Sequence, residues 1–206
     1  MKNRIMRRIV LPAVAALVVG VAPSAWAQNV LMNSAETINK GNFKLAAFPT
    51  ALLGEGDADN EWGIAGRAGL GLTRSVDVEG KLAVFDGLTF YGGDVEAWIV
   101  RNPNGINGSI SVGVHRSDYE SRRDIFGIDT AMILSVYLTH TVEFYGGVQL
   151  GFESVDDTDQ DFTRAHAVPG IEIRLSDQLD LLAEYGISLN DNSPDYVSLG
   201  LAMYFQ

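Results

Sequence analysis

From Asn42 to the end of the chain, apolar and polar residues alternate with a period of two, and no stretch holds a helical period. Side chains on a pleated strand point to opposite faces in turn, so this is the pattern of β-strands. Ten of them can be separated, at about 42–51, 61–73, 76–85, 91–101, 107–115, 126–139, 142–153, 162–175, 179–189 and 195–205. In the last, Val197, Leu199, Leu201, Met203 and Phe205 share one face, and Tyr196, Ser198, Gly200, Ala202 and Tyr204 the other. The second, seventh and eighth stretches divide the same way, each with one face almost free of charge. Most are longer than the ~5–6 residues usual in soluble sheets and match the ~9–11 that a tilted membrane strand needs.

The connections alternate in kind. Arg74-Ser75, Asn102–Ile106, His140-Thr141 and Ser176–Gln178 are short and carry a single acid, Asp177. Leu52–Asn60, Asp86–Phe90, Arg116–Ile125, Ser154–Asp161 and Asn190–Pro194 are generally longer and hold most of the loop acids. Short turns on one rim and longer loops on the other define a closed, antiparallel, up-and-down transmembrane β-barrel. Ten strands are expected, with eight and twelve as the neighbouring counts, and ten put both chain ends on the short-turn side.

Parity and strand direction together place the aromatics. On the apolar face Phe43, Phe144 and Phe205 fall at the short-turn ends of their strands, and Trp62, Phe126 and Phe152 at the opposite ends. Two aromatic bands around an aliphatic belt are what the two membrane interfaces select. The competing arrangement is a soluble, lipocalin-like barrel with its apolar face turned inward. In the membrane arrangement Trp98, Phe85, Phe48, Ile133 and Leu182 break the pattern by pointing inward, and Pro169 on the lipid face predicts a bulge or break in the eighth strand.

The N-terminus sets the compartment. Lys2, Arg4, Arg7 and Arg8 precede an apolar run from Ile9 to about Ala22, and Ala25-Trp26-Ala27 supplies the small residues that a signal peptidase reads. Residues 1–27 are therefore expected to be a cleaved signal peptide, 28–41 a periplasmic lead-in and 42–206 the barrel. Cleavage leaves 11 basic residues against 26 acidic ones, a net charge of −15. Such a polyanion is unsuited to nucleic acid, which is held by Lys and Arg. The chain has no Cys, which excludes both disulfides and an N-terminal lipid anchor.

Two segments carry a resemblance. Ala35-Glu36-Thr37-Ile38-Asn39-Lys40-Gly41-Asn42-Phe43 resembles the lead into the first strand of several bacterial outer-membrane families. The alternation from Val197 to Phe205 resembles the last-strand signal read by barrel-assembly machinery, with Gln206 following where that signal ends in the aromatic. The chain is thus similar to small porin-like outer-membrane barrels of eight to ten strands. The resemblance implies outer-membrane lipid, lipopolysaccharide and the assembly machinery as partners, with no cofactor.

Candidate chemistry lies on the inward face. Lys44, Arg67, Lys81, Arg164 and Arg174 would share the lumen with Glu79, Asp94, Glu96, Asp129, Glu143, Glu172, Asp180 and Glu184. An eight-stranded barrel is just wide enough to be filled by side chains, and ten strands add little, so these charges are expected to pair. They make either a structural ion-pair plug or a narrow porin-like channel for small solutes. A third reading has the acidic outer loops binding a surface ligand or divalent cations. Asp157, Asp159 and Asp161 alternate as calcium ligands do, but the Gly and Glu of a calcium-hand loop are replaced by Phe162 and Val168. A hydrolase would need a Ser/His/acid or Asp/His set at the outer rim. Of the histidines, His140 is at the wrong rim, and neither His115, beside Ser117 and Asp118, nor His166 carries a hydrolase motif. No enzymatic activity is expected.

Overall fold

The computed structural model describes residues 33–54, 60–102, 104–121 and 123–206. The expected signal peptide, the start of the lead-in and the loop acids Glu55, Asp57 and Asp59 lie outside the described residues. Ten strands form the fold: β1 (Phe43–Leu53), β2 (Glu61–Gly71), β3 (Val76–Phe85), β4 (Leu88–Val100), β5 (Ile106–Tyr119), β6 (Ile125–Tyr137), β7 (Val142–Val155), β8 (Asp161–Ser176), β9 (Leu179–Ser188) and β10 (Asp195–Phe205). Each pairs antiparallel with its sequence neighbours, and β1 closes the barrel against β10 through Phe43↔Phe205 to Leu53↔Asp195. Closure satisfies every strand edge, which a sheet in hydrocarbon requires. Followed around the barrel, the register returns to β1 about twelve residues along, the stagger of strands tilted at roughly 40°.

Two connections differ from the sequence reading. Asp86–Phe90 is not a loop: β3 and β4 meet at Asp86-Gly87, where Gly87 takes a φ of +66°, and Leu88 onward is strand. For the same reason β5 runs on to Tyr119, because its extra residues Arg116–Tyr119 pair with Tyr91–Leu88. The two rims therefore differ less in loop length than expected. Pro169 faces outward as predicted and pairs with Gly146 of β7. Towards β9 the ladder steps from Ala167↔Ile187 to Gly170↔Glu184, the local break that a missing N–H produces. Pro49 leaves a similar gap between β1 and β10.

The apolar face points outward. Ile64, Leu82, Val112, Met132 and Leu199 are each about half exposed along the barrel waist. Phe43, Phe144 and Phe205 ring one end, and Trp62, Phe126 and Phe152 the other. The charges are inside, so the soluble arrangement with an apolar interior does not apply. An arginine in the waist would sit in hydrocarbon: Leu199→Arg is expected to cost about 2–4 kcal/mol. Denaturant unfolding from lipid vesicles measures it, with Asp159→Asn in an outer loop as the unaffected control.

Candidate functional site

The lumen is filled in layers. At the outer end Leu52, Phe85, Leu88, Phe90, Tyr119 and Ile125 are buried against one another. They form an apolar cap, to which Phe85 is the one contribution from the residues that broke the strand pattern. Phe48, Ile133 and Leu182 continue it downward, with Tyr145 and Tyr196 donating to the two oxygens of Glu184 at 3.1 and 2.7 Å. Bulky rings fit because glycines face them: Phe48 lies over Gly200, Tyr145 over Gly170 and Tyr196 over Gly186.

Below the cap, on β1–β4, lies the largest ion-pair cluster. Glu79 is fully buried between Lys44 and Arg67, with Arg67 Nε at 2.5 Å. Arg67 Nη2 reaches Asp94 at 3.3 Å, and Asp94 also pairs with Lys81. A second cluster lies nearer the outer end on β5–β8. His115 Nδ1 is 2.8 Å from Asp129, and its Nε2 is 3.3 Å from Glu153, which pairs with Arg164. Phe90 stacks on His115 at 4.9 Å. Both imidazole nitrogens face carboxylates, so neither is turned to the hydroxyl of Ser117 as acyl transfer requires. His166 Nε2 lies 3.1 Å from the Pro194 carbonyl.

The remaining inward charges sit near the periplasmic mouth. Glu143, Glu172, Asp180 and Glu96 are buried there. Arg174 is the exception among the expected lumen residues. It is exposed at the rim, where β8 overruns the barrel edge, and donates to Tyr137 Oη at 3.4 Å.

Residues 33–39 are the main feature that the sequence reading missed. This part of the lead-in does not stand outside the barrel but is tucked into its periplasmic mouth. Asn33, Ser34, Ala35, Thr37 and Ile38 are buried. Asn33 donates to Glu96 and accepts from Lys44 Nζ at 3.0 Å, and the Ile38 N–H donates to Asp77 at 2.7 Å. The strand face makes room for it. A Cβ on Gly71 would stand 2.5 Å from the Ile38 carbonyl oxygen, and one on Gly69 2.5 Å from Ile38 Cδ1. Trp98, under the Arg101 guanidinium at 3.9 Å, lies at the same end.

At the outer rim, Arg116 gathers the loops. Its guanidinium pairs with Asp118 at 2.9 Å, Asp124 at 2.9 Å and Asp156 at 2.8 Å, tying β5–β6 to β7–β8. Arg123 donates to the Asp156 and Asp157 carbonyls. Asp157, Asp159 and Asp161 are not drawn together, and among the described residues no group of three acids or histidines is arranged to hold a metal. The Tyr119 N–H and then Arg116 hold the Asp124 carboxyl below its ordinary value of 3.8. A lowered folded-state value means that this tie is complete above pH 3.8 and fades as pH falls through the folded value. The Tyr119 amide resonance is expected to titrate with a midpoint below 3.8, and a midpoint at or above it would contradict the tie.

A closed ten-stranded wall with a charged, filled interior and aromatic girdles now has a match across nearly its whole length. The outer membrane protein beta-barrel domain family matches residues 13–205. The chain belongs to that family. It is an integral protein of the bacterial outer membrane. Among solved structures it is similar to a de novo designed transmembrane beta-barrel, at 18% identity over 82% of this chain and 99% of that one, with a TM-score of 0.44. The N-terminal beta-barrel domain of Pseudomonas aeruginosa OprF gives 12% identity over 82% and 100%, with a TM-score of 0.38. The COG4313 outer membrane channel from Pseudomonas putida F1 gives 11% over 86% and 100%, with a TM-score of 0.47. No curated protein matches the sequence.

Proposed function

We propose that this family member is a closed-lumen barrel that serves the outer membrane as a structural scaffold and not as an open passive channel. The carrying observation is the stack inside the wall: an apolar cap at the outer end, two ion-pair clusters below it and residues 33–39 across the periplasmic mouth. A solute passing through would have to separate buried ion pairs, and each broken pair leaves an uncompensated charge at a cost of about 3–5 kcal/mol. The Arg116 tie supports the same reading, since it spends three outer acids on holding the loops together. Liposome swelling tests the proposal. Vesicles carrying the folded mature chain should swell in small sugars no faster than protein-free vesicles. Swelling that scales with protein content and falls with sugar size would favour the narrow channel.

A further inference from the structure

The outward face of β5–β8 carries an apolar recess of about 440 Å³ in the periplasmic half of the belt. Its floor is Gly146 on β7, which lies in one row across the wall between Leu134 of β6 and Pro169 of β8. Leu134 leans away from it, over Gly108, where a Cβ would stand 3.3 Å from Leu134 Cδ2. At Gly146 a Cβ would meet nothing nearer than the Val168 carbonyl oxygen, at 3.9 Å. Met132 and Val148 border the slot towards the bilayer centre, and Phe144 borders it towards the periplasm. Where the rest of the belt presents side chains, this position is open.

A recess in the belt is reached from the bilayer, by a lipid tail or by another barrel. Two barrels inserted the same way meet convex wall to convex wall, and neither reaches a slot set behind Phe144 and Met132. They would also bring their periplasmic rims together at one level. Among the described residues that rim exposes Lys40, Arg74, Arg101 and Arg174 but a single acidic side chain, Asp177. This local surplus runs against the formal net charge of −11 of the whole chain. Like charges oppose the pairing of copies, whereas a lipid phosphate brings the opposite sign. Arg174 stands on the periplasmic side of the slot. Phe144 pairs with Ile171, and the Arg174 N–H donates to the Thr141 carbonyl at 2.8 Å, beside the exposed turn at residues 139–141. The volume falls within the ~300–1,000 Å³ of small-molecule sites, and a slot one side chain wide suits an unbranched tail.

We propose that this slot holds one acyl chain of a periplasmic-leaflet phospholipid with an anionic headgroup, its phosphate beside Arg174. The site goes beyond a scaffold role and does not depend on whether the lumen conducts.

Native mass spectrometry of the refolded mature chain tests it, with release from micelles containing dipalmitoyl phosphatidylglycerol or dipalmitoyl phosphatidylcholine. One phosphatidylglycerol is expected to stay on each monomer, retained at least about fivefold better than phosphatidylcholine. Gly146→Leu fills the slot and should lower that retention at least about tenfold. Gly80→Leu is the control: it fills an outward position on β3 where a Cβ is equally free, with its nearest neighbour at 3.9 Å, and should change nothing. Arg174→Gln should bring phosphatidylglycerol down to the level of phosphatidylcholine, while Arg74→Gln, at the β2–β3 turn, should not. If Gly146→Leu loses heat-modifiable migration, the Arg174→Gln comparison decides the matter. Equal retention by Gly146→Leu and the parent, equal retention of the two lipids by the parent, or lipid-free dimers that Gly146→Leu dissociates would overturn the proposal.

Discussion

Replacing Glu79 with alanine is expected to lower the folding free energy by about 3–5 kcal/mol, the range for removing one member of a buried ion pair. Glu79 has no exposed side-chain surface and stands between two cations. Without it Lys44 keeps only the Asn33 amide oxygen, and Arg67 keeps Asp94 at 3.3 Å. Two positive charges then remain in a region that water does not reach, and the Asn33 contact that helps seat residues 33–39 is weakened with them. Glu143→Gln makes the informative contrast. Among the described residues its carboxylate has no salt-bridge partner, so neutralising it should leave stability unchanged or raise it. Denaturant unfolding followed by the gel shift between folded and unfolded barrel measures both. A loss below about 1 kcal/mol for Glu79→Ala would mean that water or rearrangement compensates the cluster.

The second large effect is expected at Gly71. Valine suits a strand on its own account, but here it would drive a Cβ into the Ile38 and Asn39 carbonyl oxygens. Gly71 also holds the incoming segment through its own backbone, accepting from the Gly41 N–H at 2.9 Å and donating to the Asn42 carbonyl at 3.0 Å. Gly71→Val should therefore expel residues 33–39 while the wall stays closed. The sequence has no cysteine, so Ser34→Cys is a unique reporter of that event. Its labelling by a membrane-impermeant thiol reagent should rise at least about tenfold, a shift of ~1.4 kcal/mol in the local opening equilibrium. An unchanged rate in a barrel that still migrates heat-modifiably would mean that the segment is not seated on Gly71.

The wall was largely legible because a period of two is a local property. Once strand direction was added, the alternation of Val197–Phe205 and the positions of Phe43, Trp62, Phe126, Phe144, Phe152 and Phe205 gave the faces and both girdles. Even the exceptions carried information, since Phe48, Phe85, Ile133 and Leu182 are inward and apolar because they plug the lumen. What was not legible depends on closure. Residues 33–39 have no periodicity of their own, and their seat exists only when Gly69, Gly71, Asp77 and Glu96 are brought together from three strands. Arg116 reads from the sequence as the first residue of a long loop, and its role follows only once β5 runs on to Tyr119. Counting charges showed that pairs must form. It could not show that Glu79 would hold two cations while Glu143 and Glu172 face each other with no salt bridge to either among the described residues.

The central claim is that the lumen is closed in the resting protein, and planar-bilayer recording tests it most directly. Folded mature protein, verified by heat-modifiable migration, should insert without producing stepwise current. Stable unitary conductance steps from the unmodified chain would contradict a closed lumen.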